Sequence, residues 1–471
     1  MKLSKIVCTI GPSSSDEETL RKMIEAGMDI ARLNFSHGTH QSHEEVFKRI
    51  RKINPRIAIA IDISGPKIRL GTLQDRYTLK KEAKVTLTTD DIIGTKELLP
   101  VNYPSLAKEV KEGSFIYIND GFVKLKVLQK ENGNLVCQAI DGGNISSRKG
   151  VNIPDANLSM RVPTEKDLID IKKACELGVD YLFISYVRDS EDILKVKEII
   201  NSCSYNEIGL VSKIEHRDAI KNIQEITRVS DGLMVARGDL GIEVGAAKVP
   251  VLQKEIIRLG INKAKPVIVA TQMLESMIRE PLPTRAEASD VAHAVFDGAD
   301  ALMLSGETAT GKHPIQVVRT MREIIQEAEK NLTYNSTITS KLDFPKGGEI
   351  GEAAVKLGQR LSVDAIVAIT QTGYSASMIS RNRVPLPIYA VTPDETTMRK
   401  TNLLWGVKSL YHPHEADFDQ MIYSIIKKLH SEKFLKSDNT IIVVAGSVVG
   451  LPGKINTIQV LNVKETLNNF E

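Results

Sequence analysis

The sequence predicts an α/β protein: a (β/α)8 barrel with an inserted antiparallel β domain, followed by a doubly wound α/β domain. Three observations carry this. Eight short runs rich in Val, Ile and Leu, apolar on both faces, alternate with segments of helical periodicity, as parallel strands covered by helices do. After the third run the pattern switches to apolar–polar alternation with Asn-Gly, Asp-Gly and Gly-Gly turns, which marks half-exposed antiparallel strands. Beyond about Asn331 a second series of apolar runs begins. Length agrees, since 471 residues at roughly 150 per domain gives about three domains.

In order, the eight runs are KIVCTI, DIARLNF, IAIAIDI, YLFISYV, IGLVSKIE, GLMVARGD, PVIVATQM and ALMLSGE. Eight strand–helix units favour a closed barrel over an open sheet, assigned to residues 1–65 and 164–331. DEETLRKMIEAG opens with Asp16 and Glu17 and stops at Gly27, the marks of a capped helix. Residues 66–163 hold KVTLTTDD, SFIYIND, FVKLKVLQ and NLVCQAID, the inserted domain, joined at Pro66 and Pro163. TYNSTITSKLDFPKGG reads as a linker. AIVAIT, PIYAVT, GVKSLYH, TIIVVAGS and TIQVLNV then build a third domain, 340–471. In DFDQMIYSIIKKLHSEK the apolar stripe is expected to be core rather than a partner groove.

Composition excludes several function classes. Hydrophobic residues are 42% and charged residues 26%, too apolar for a disordered chain. Lys plus Arg less Asp plus Glu is 62 − 59 = +3, which removes a global electrostatic case for nucleic acid or an anionic membrane. No apolar run approaches the roughly 20 residues of a membrane span, and the opening MKLSKIVCTIGPSSS lacks the apolar segment of a signal peptide. Cys8, Cys137, Cys175 and Cys203 form no C-x-x-C pair and read as buried thiols in a reducing compartment. A cytoplasmic protein is expected.

Barrel active sites gather at the carboxyl ends of the strands. Here those ends carry Arg32, Asn34 and Ser36; Asp62; Lys213 and Glu215; Arg237 and Asp239; Thr271; Ser305 and Glu307. Any one could cap a helix or pair with a neighbour, but so many on one rim predict a shared site. Glu215 and Asp239, on adjacent strands, could hold one hard cation with substrate oxygens and water, as Mg²⁺ prefers. Lys213 lies two residues from Glu215 and so on the same face, where its charge could stabilise a transferring anionic group. The guanidinium forks of Arg32 and Arg69 suit phosphate or carboxylate. Two decoys are set aside. GETATGKH, Gly306 to His313, nearly matches a phosphate-binding loop but has His313 where the metal-binding hydroxyl belongs, and Pro314 places the helix beyond the Lys. His37, His40 and His43 are spaced like ligands on one side of a helix but lack a zinc arrangement.

ARLNFSHG, SGPKIR, KIE, LMVARGDLG, ATQMLESM, PTRAEASDVA and GADALMLSGETATG, in this order from Lys5 onward, together resemble the pyruvate kinase family. The resemblance implies transfer of the phosphoryl group of phosphoenolpyruvate to ADP, giving pyruvate and ATP, in a homotetramer. It implies that Glu215 and Asp239 bind Mg²⁺ (or Mn²⁺) and that Lys213 stabilises the transferring group. Arg32 then binds phosphate, while Gly238 and Thr271 hold the substrate carboxylate, in keeping with anion binding at a helix start. Asn34, Ser36, His37, Arg69 and Lys166 match nucleotide or phosphate contacts. Ser305 and Glu307 match positions that organise water near the enolate, for whose protonation Thr271 and such a water are both candidates. Transfer of this kind needs positioning and charge more than covalent chemistry.

Departures from the family pattern sharpen the expectations. HRDAI follows KIE where Asn and a Glu-Gly pair are common, and His313 replaces a usual Tyr. Lys67 in SGPKIR stands where many relatives carry Glu and need a monovalent cation, held at positions matching Asn34, Ser36, Asp62 and the Ile63 carbonyl. The lysine predicts independence from potassium; Ile63 and Leu70 fit that pattern and Ser64 fits it incompletely. TQTGYSA matches the family's effector loop, with Thr370, Thr372 and Ser375 as candidate phosphate contacts. Gln371 and Tyr374 stand where fructose bisphosphate-activated relatives are often basic, so a sugar monophosphate, a nucleotide or no activator is expected. The inserted domain is expected to close over bound nucleotide. Competing readings are a metal-dependent carbon–carbon lyase acting on a keto acid, which would need neither a lid nor Arg69 and Lys166, and a non-catalytic binding protein, which would have lost catalytic residues.

Overall fold

The structure, a computed structural model, describes residues 2–205, 207–332, 347–446 and 455–468. Its barrel strands are β1 (Lys5–Ile10), β2 (Ile30–Asn34), β3 (Ala58–Ile63), β4 (Tyr181–Ile184), β5 (Gly209–Ile214), β6 (Gly232–Ala236), β7 (Val267–Ala270) and β8 (Ala301–Leu304). Each pairs in parallel with the next, and β1 closes on β8. Both faces of the strands are buried. Val7, Ile30, Ala60, Phe183, Val211, Met234, Ile268 and Met303 meet around the barrel axis, while Ile6, Ile59, Leu210, Val235 and Leu302 pack under the helices. Because strand side chains alternate, the inward row through Val211 continues to Lys213 and Glu215 at the carboxyl rim, and that through Met303 to Ser305.

Local chemistry sets the helix ends. Asp16 accepts the Thr19 N–H at 2.9 Å to start the helix Glu17–Ala26, and Gly27 ends it at a φ of 128°, open to residues without Cβ. Reciprocal capping boxes, Thr164 with Asp167 and Thr284 with Glu287, start two more helices of the barrel.

The inserted segment forms a six-stranded sheet of Val151–Asn152, Phe115–Ile118, Val123–Glu131, Asn134–Asp141, Lys84–Thr88 and Leu98–Pro100 over its own core. One pairing departs from the expected antiparallel pattern: Leu98–Pro100 runs parallel to Lys84–Thr88. The connection 89–97 arches back first, with Gly94 bridged to Leu73. In the C-terminal domain β9 (Ala365–Ile369), β10 (Ile388–Thr392), β11 (Val407–Tyr411) and β12 (Thr440–Ala445) are parallel, with β13 (Thr457–Asn462) antiparallel on the edge. Helix Phe418–Ser431 buries Met421, Ile422, Ile425, Ile426 and Leu429 against this sheet, so its stripe is core. Most of the expected linker lies outside the described residues, and Gly347 and Gly348 already belong to the helix Gly347–Leu361. All four cysteines are free thiols. Among the described residues no helix is long and apolar enough to cross a membrane.

At the amino end of the barrel the buried Asp180 carboxylate ties the domains together. It accepts from the Ile59 N–H at 2.7 Å, from Arg51 at 2.6 Å and from Arg399 of the C-terminal domain at 2.6 Å. Asp180→Ala removes this shared acceptor, leaving Arg51 the Ile57 carbonyl and Arg399 the Glu395 carboxylate and Thr396 hydroxyl, and is expected to cost about 2–3 kcal/mol of stability. A melting temperature equal to wild type would contradict this.

Candidate active site

Arg32, Asp62, Lys213, Glu215, Asp239 and Thr271 line one cleft of about 180 Å³ at the carboxyl rim, with Asn34, Ser36, His37, Lys67, Arg69 and Ser305 also on its walls. Its floor is an ion network. Asp62 accepts from Arg32 Nε at 2.8 Å and from Lys213 Nζ at 3.2 Å, and Lys213 also pairs with Glu215 at 3.0 Å. Arg32 Nη1 donates to Thr9 Oγ1 at 2.8 Å. With Nε and Nη1 held, the guanidinium plane is fixed before any ligand arrives.

The charges resist burial by mutual pairing. Burial acts to lower Lys213, but Asp62 and Glu215 outweigh it and raise its pKa above the usual lysine value. Burial opposes the charged form of Asp62 too, yet Arg32 and Lys213 hold its carboxyl below the usual range. Glu215 is pushed up, first by burial and then by Asp239, against the pull of Lys213. Asp239 is held low because Lys67 and Lys213 overcome burial. Four cations (Arg32, Lys67, Arg69, Lys213) face three carboxylates (Asp62, Glu215, Asp239) on the cleft walls, a balance suited to a polyanion only once more positive charge joins.

Asp239 sits in the first turn of the helix Arg237–Val244. Arg237 clamps the end of β7 through the Thr271 carbonyl at 2.7 Å and pairs with Asp290 at 2.7 Å. Thr271 is thereby held at a φ of 73°, unusual for a β-branched residue. The Gly238 N–H donates to Thr271 Oγ1 at 2.9 Å, so the hydroxyl proton of Thr271 is left to give elsewhere.

The Lys67 ammonium reaches Asp239, at 3.2 and 3.3 Å from its two oxygens, rather than Asn34, Ser36 or Asp62. Three of the oxygens that the resemblance matches to a monovalent-cation site are engaged within the chain. Ile63 O accepts from Ser185 Oγ at 2.7 Å, Asn34 Oδ1 accepts from the Ser36 N–H at 3.1 Å, and Ser36 Oγ contacts Ser64 Oγ at 3.0 Å.

Several expected residues lie elsewhere. Lys166 is outside the cleft lining, paired with Asp170 at 2.5 Å and donating to the Phe35 carbonyl at 2.8 Å. Glu307 is fully buried and accepts the Ser305 and Leu274 N–H groups at 2.7 and 3.2 Å, so it shapes the rim from behind. His37 precedes the helix His40–Ile53 rather than sharing its face. His40 is taken up by Asp170 at 2.7 Å and His43 by the His37 carbonyl at 2.7 Å. Gly306–Ala309 forms a helical turn and Pro314 starts the next helix, which rules out a phosphate-binding loop at GETATGKH. In the candidate effector loop Thr370 and Ser375 are buried, whereas Thr372 lines a cavity of about 400 Å³ between the barrel and the C-terminal domain. His216 of HRDAI is buried and caps the helix Arg217–Lys221, its Nδ1 accepting the Asp218 N–H at 3.1 Å. Burial and Arg188 push its pKa down to about 4, so it is the neutral acceptor that this cap requires.

Sequence reasoning missed Ser185 and Tyr186. Ser185 Oγ receives Lys213 Nζ at 2.8 Å, and Tyr186 touches both metal-candidate carboxylates. They follow the apolar run of β4, so the strand-end rule applied to six of the other strands would have found them.

Comparison with known proteins covers nearly the whole chain. Residues 1–318 match the family model described as pyruvate kinase, barrel domain, and residues 348–461 that described as pyruvate kinase, alpha/beta domain. The chain is 40% identical to the pyruvate kinase of Clostridium perfringens over 98% of its own length and 99% of the relative's. It is 40% identical to that of Staphylococcus saprophyticus and 38% identical to that of Geobacillus stearothermophilus, in each case over 98% of this chain, and over 80% and 81% of the respective relatives.

Proposed function

The chain belongs to the pyruvate kinase family, and from that premise we propose which of its residues carry the reaction. It is a phosphotransferase that moves the phosphoryl group of phosphoenolpyruvate to ADP, giving pyruvate and ATP, the last step of glycolysis. The observation that carries the assignment is Lys213, a buried ammonium at the cleft floor between Asp62, Glu215 and Ser185.

The family generally needs a divalent metal, and the donor set fits one. Among the described residues no group of three His, Cys, Asp or Glu could hold an ion alone. Mg²⁺, however, is commonly held by one or two carboxylates, completed by water and substrate oxygens. Glu215 is raised partly by the neighbouring Asp239 charge, a pair of carboxylates that a cation would relieve. Glu215 and Asp239 would hold Mg²⁺ (or Mn²⁺), which when bound would supply positive charge to offset phosphate oxygens.

The remaining work falls to this chain's own groups. Arg32, its plane fixed by Asp62 and Thr9, binds the phosphate through its free edge. The Thr271 hydroxyl and the backbone at Gly238 hold the substrate carboxylate, and Thr271 has a proton to offer on the enolate side. Lys213 gains most from the charge that develops during transfer. Asn34, Ser36, His37 and Arg69 contact the nucleotide, with Lys166 reaching in once it leaves Asp170. The inserted domain, taken as 66–163, closes over the nucleotide. A gap of about 570 Å³ between Tyr117, Asp120 and Gly121 of that domain and Arg237–Gly238 of the barrel leaves room for the movement. The barrel is taken as 1–65 with 164–331 and the effector domain as 340–471, in a cytoplasmic homotetramer. Potassium is not required, because Lys67 adds a fixed cation and Ile63 O is already engaged by Ser185.

A coupled assay of pyruvate formation from phosphoenolpyruvate and ADP tests the reading. Activity should vanish with a divalent chelator, return with Mg²⁺, and fall sharply in Glu215→Gln and Asp239→Asn. Full activity with chelator present would overturn the metal assignment. Strong activation by fructose bisphosphate would overturn the reading of the Thr370, Thr372 and Ser375 loop.

A further inference from the structure

Tyr186 is the residue that touches both metal-candidate carboxylates. Its backbone N–H donates to Glu215 Oε2 at 2.8 Å, and its phenol donates to Asp239 Oδ1 at 3.1 Å. The same hydroxyl is faced by the Asn152 side chain of the inserted domain, and the Lys67 ammonium lies 5.7 Å from its ring centroid. This contact set exists because Tyr186 adopts a φ of 57°, a left-handed conformation that an aromatic residue occupies only when its surroundings impose it. Gly65 supplies part of that surrounding: a Cβ there would stand 2.8 Å from the Ser185 carbonyl. Only glycine therefore lets the strap into the inserted domain pack onto Ser185–Tyr186.

We propose that Tyr186 is a positioning residue that sets which oxygens of Glu215 and Asp239 are presented to the divalent ion, and thereby selects a small ion over a large one. The inference rests on the metal reading of those two carboxylates. Oδ1 of Asp239 receives both the phenol and the Lys67 ammonium, whereas Oδ2 receives Lys67 alone, at 3.3 Å. Oδ2 is therefore the less committed oxygen and the one presented as a single ligand. Mg²⁺ demands near-octahedral geometry at short distance, whereas Ca²⁺ accepts bidentate carboxylates and more ligands. Without the phenol the two oxygens are left equally held, by Lys67 alone, which permits the bidentate mode once a cation displaces the ammonium and erodes the preference.

Tyr186→Phe in the full chain removes the hydroxyl and keeps the ring. Mn²⁺ binding without substrates, followed by electron paramagnetic resonance, gives Mg²⁺ and Ca²⁺ affinities by competition. The ratio of Mg²⁺ to Ca²⁺ affinity is expected to fall about tenfold, the size usual for loss of a group that orients a metal ligand. In turnover, the Mg²⁺ requirement should rise while the KM for phosphoenolpyruvate at saturating Mg²⁺ stays near wild type. A ratio within about twofold of wild type, with Mn²⁺ binding still abolished by Asp239→Asn, would overturn the role of Tyr186 and leave the metal reading standing. Unchanged Mn²⁺ binding in Asp239→Asn would overturn both.

Discussion

Lys213→Met is expected to lower kcat by about 10³-fold while binding of phosphoenolpyruvate stays near its wild-type value. The asymmetry follows from where the charge acts. In the proposed assignment Arg32 and the Thr271 region hold the ground-state substrate, whereas the ammonium gains most when the phosphoryl group carries its transition-state charge. Methionine fills the volume and removes only the charge. The buried carboxylates it leaves behind retain partners: Asp62 keeps Arg32 at 2.8 Å, and Glu215 keeps the Tyr186 N–H at 2.8 Å. Glu215, already raised by burial, can take up a proton, so the variant should fold. The raised pKa of Lys213 has a second consequence. Its contribution to stability is complete below the usual lysine pKa and is lost only as pH rises through the higher folded value, so no loss of activity from neutral pH to mildly alkaline pH belongs to this group. A kcat within a few-fold of wild type, in a variant that still binds phosphoenolpyruvate, would remove Lys213 from its role.

How much of this was legible in the sequence depends on whether the signal is local. The barrel strands were, because runs buried on both faces leave no alternation and eight of them recur. Arg32, Asp62, Lys213, Glu215, Asp239 and Thr271 were, because each lies at the carboxyl end of such a run or just after it, and the strand period fixes the face of those inside a strand. Contacts across the rim were not. The partner of Lys67 depends on how far a strap after β3 reaches towards the helix after β6, and no spacing encodes that distance. Lys166 and Asp170, by contrast, are four residues apart on one helix, so their pairing was readable as an i, i+4 contact. Glu307 follows β8 as Glu215 follows β5, but local backbone turns it inward to cap N–H groups. A strand-end position therefore nominates a residue without deciding whether it faces substrate.

Lys67→Glu is expected to create a potassium requirement, and the wild-type chain is expected to show none. In wild type the Lys67 ammonium lies 3.2 Å from Asp239, over the cleft that also holds Arg32 and Lys213. In the proposed reading its charge offsets the phosphate oxygens gathered there during transfer. At an effective dielectric of about 20, one unit charge at about 4 Å is worth about 4 kcal/mol. Reversing it beside Asp239 should therefore cost at least about 10²-fold in kcat, even if solvent screens half of the effect. A monovalent cation can restore part of that loss by sitting between the new carboxylate, Asp62 and the Asn34 and Ser36 oxygens. Full restoration is not expected, since Ile63 O stays committed to the Ser185 hydroxyl; Ser185→Ala in the Lys67→Glu background should improve the response to potassium. The measurement is activity with Mg²⁺ in tetramethylammonium buffer, before and after potassium is added. A large increase for wild type, or none for Lys67→Glu, would show that the lysine does not stand in for the ion.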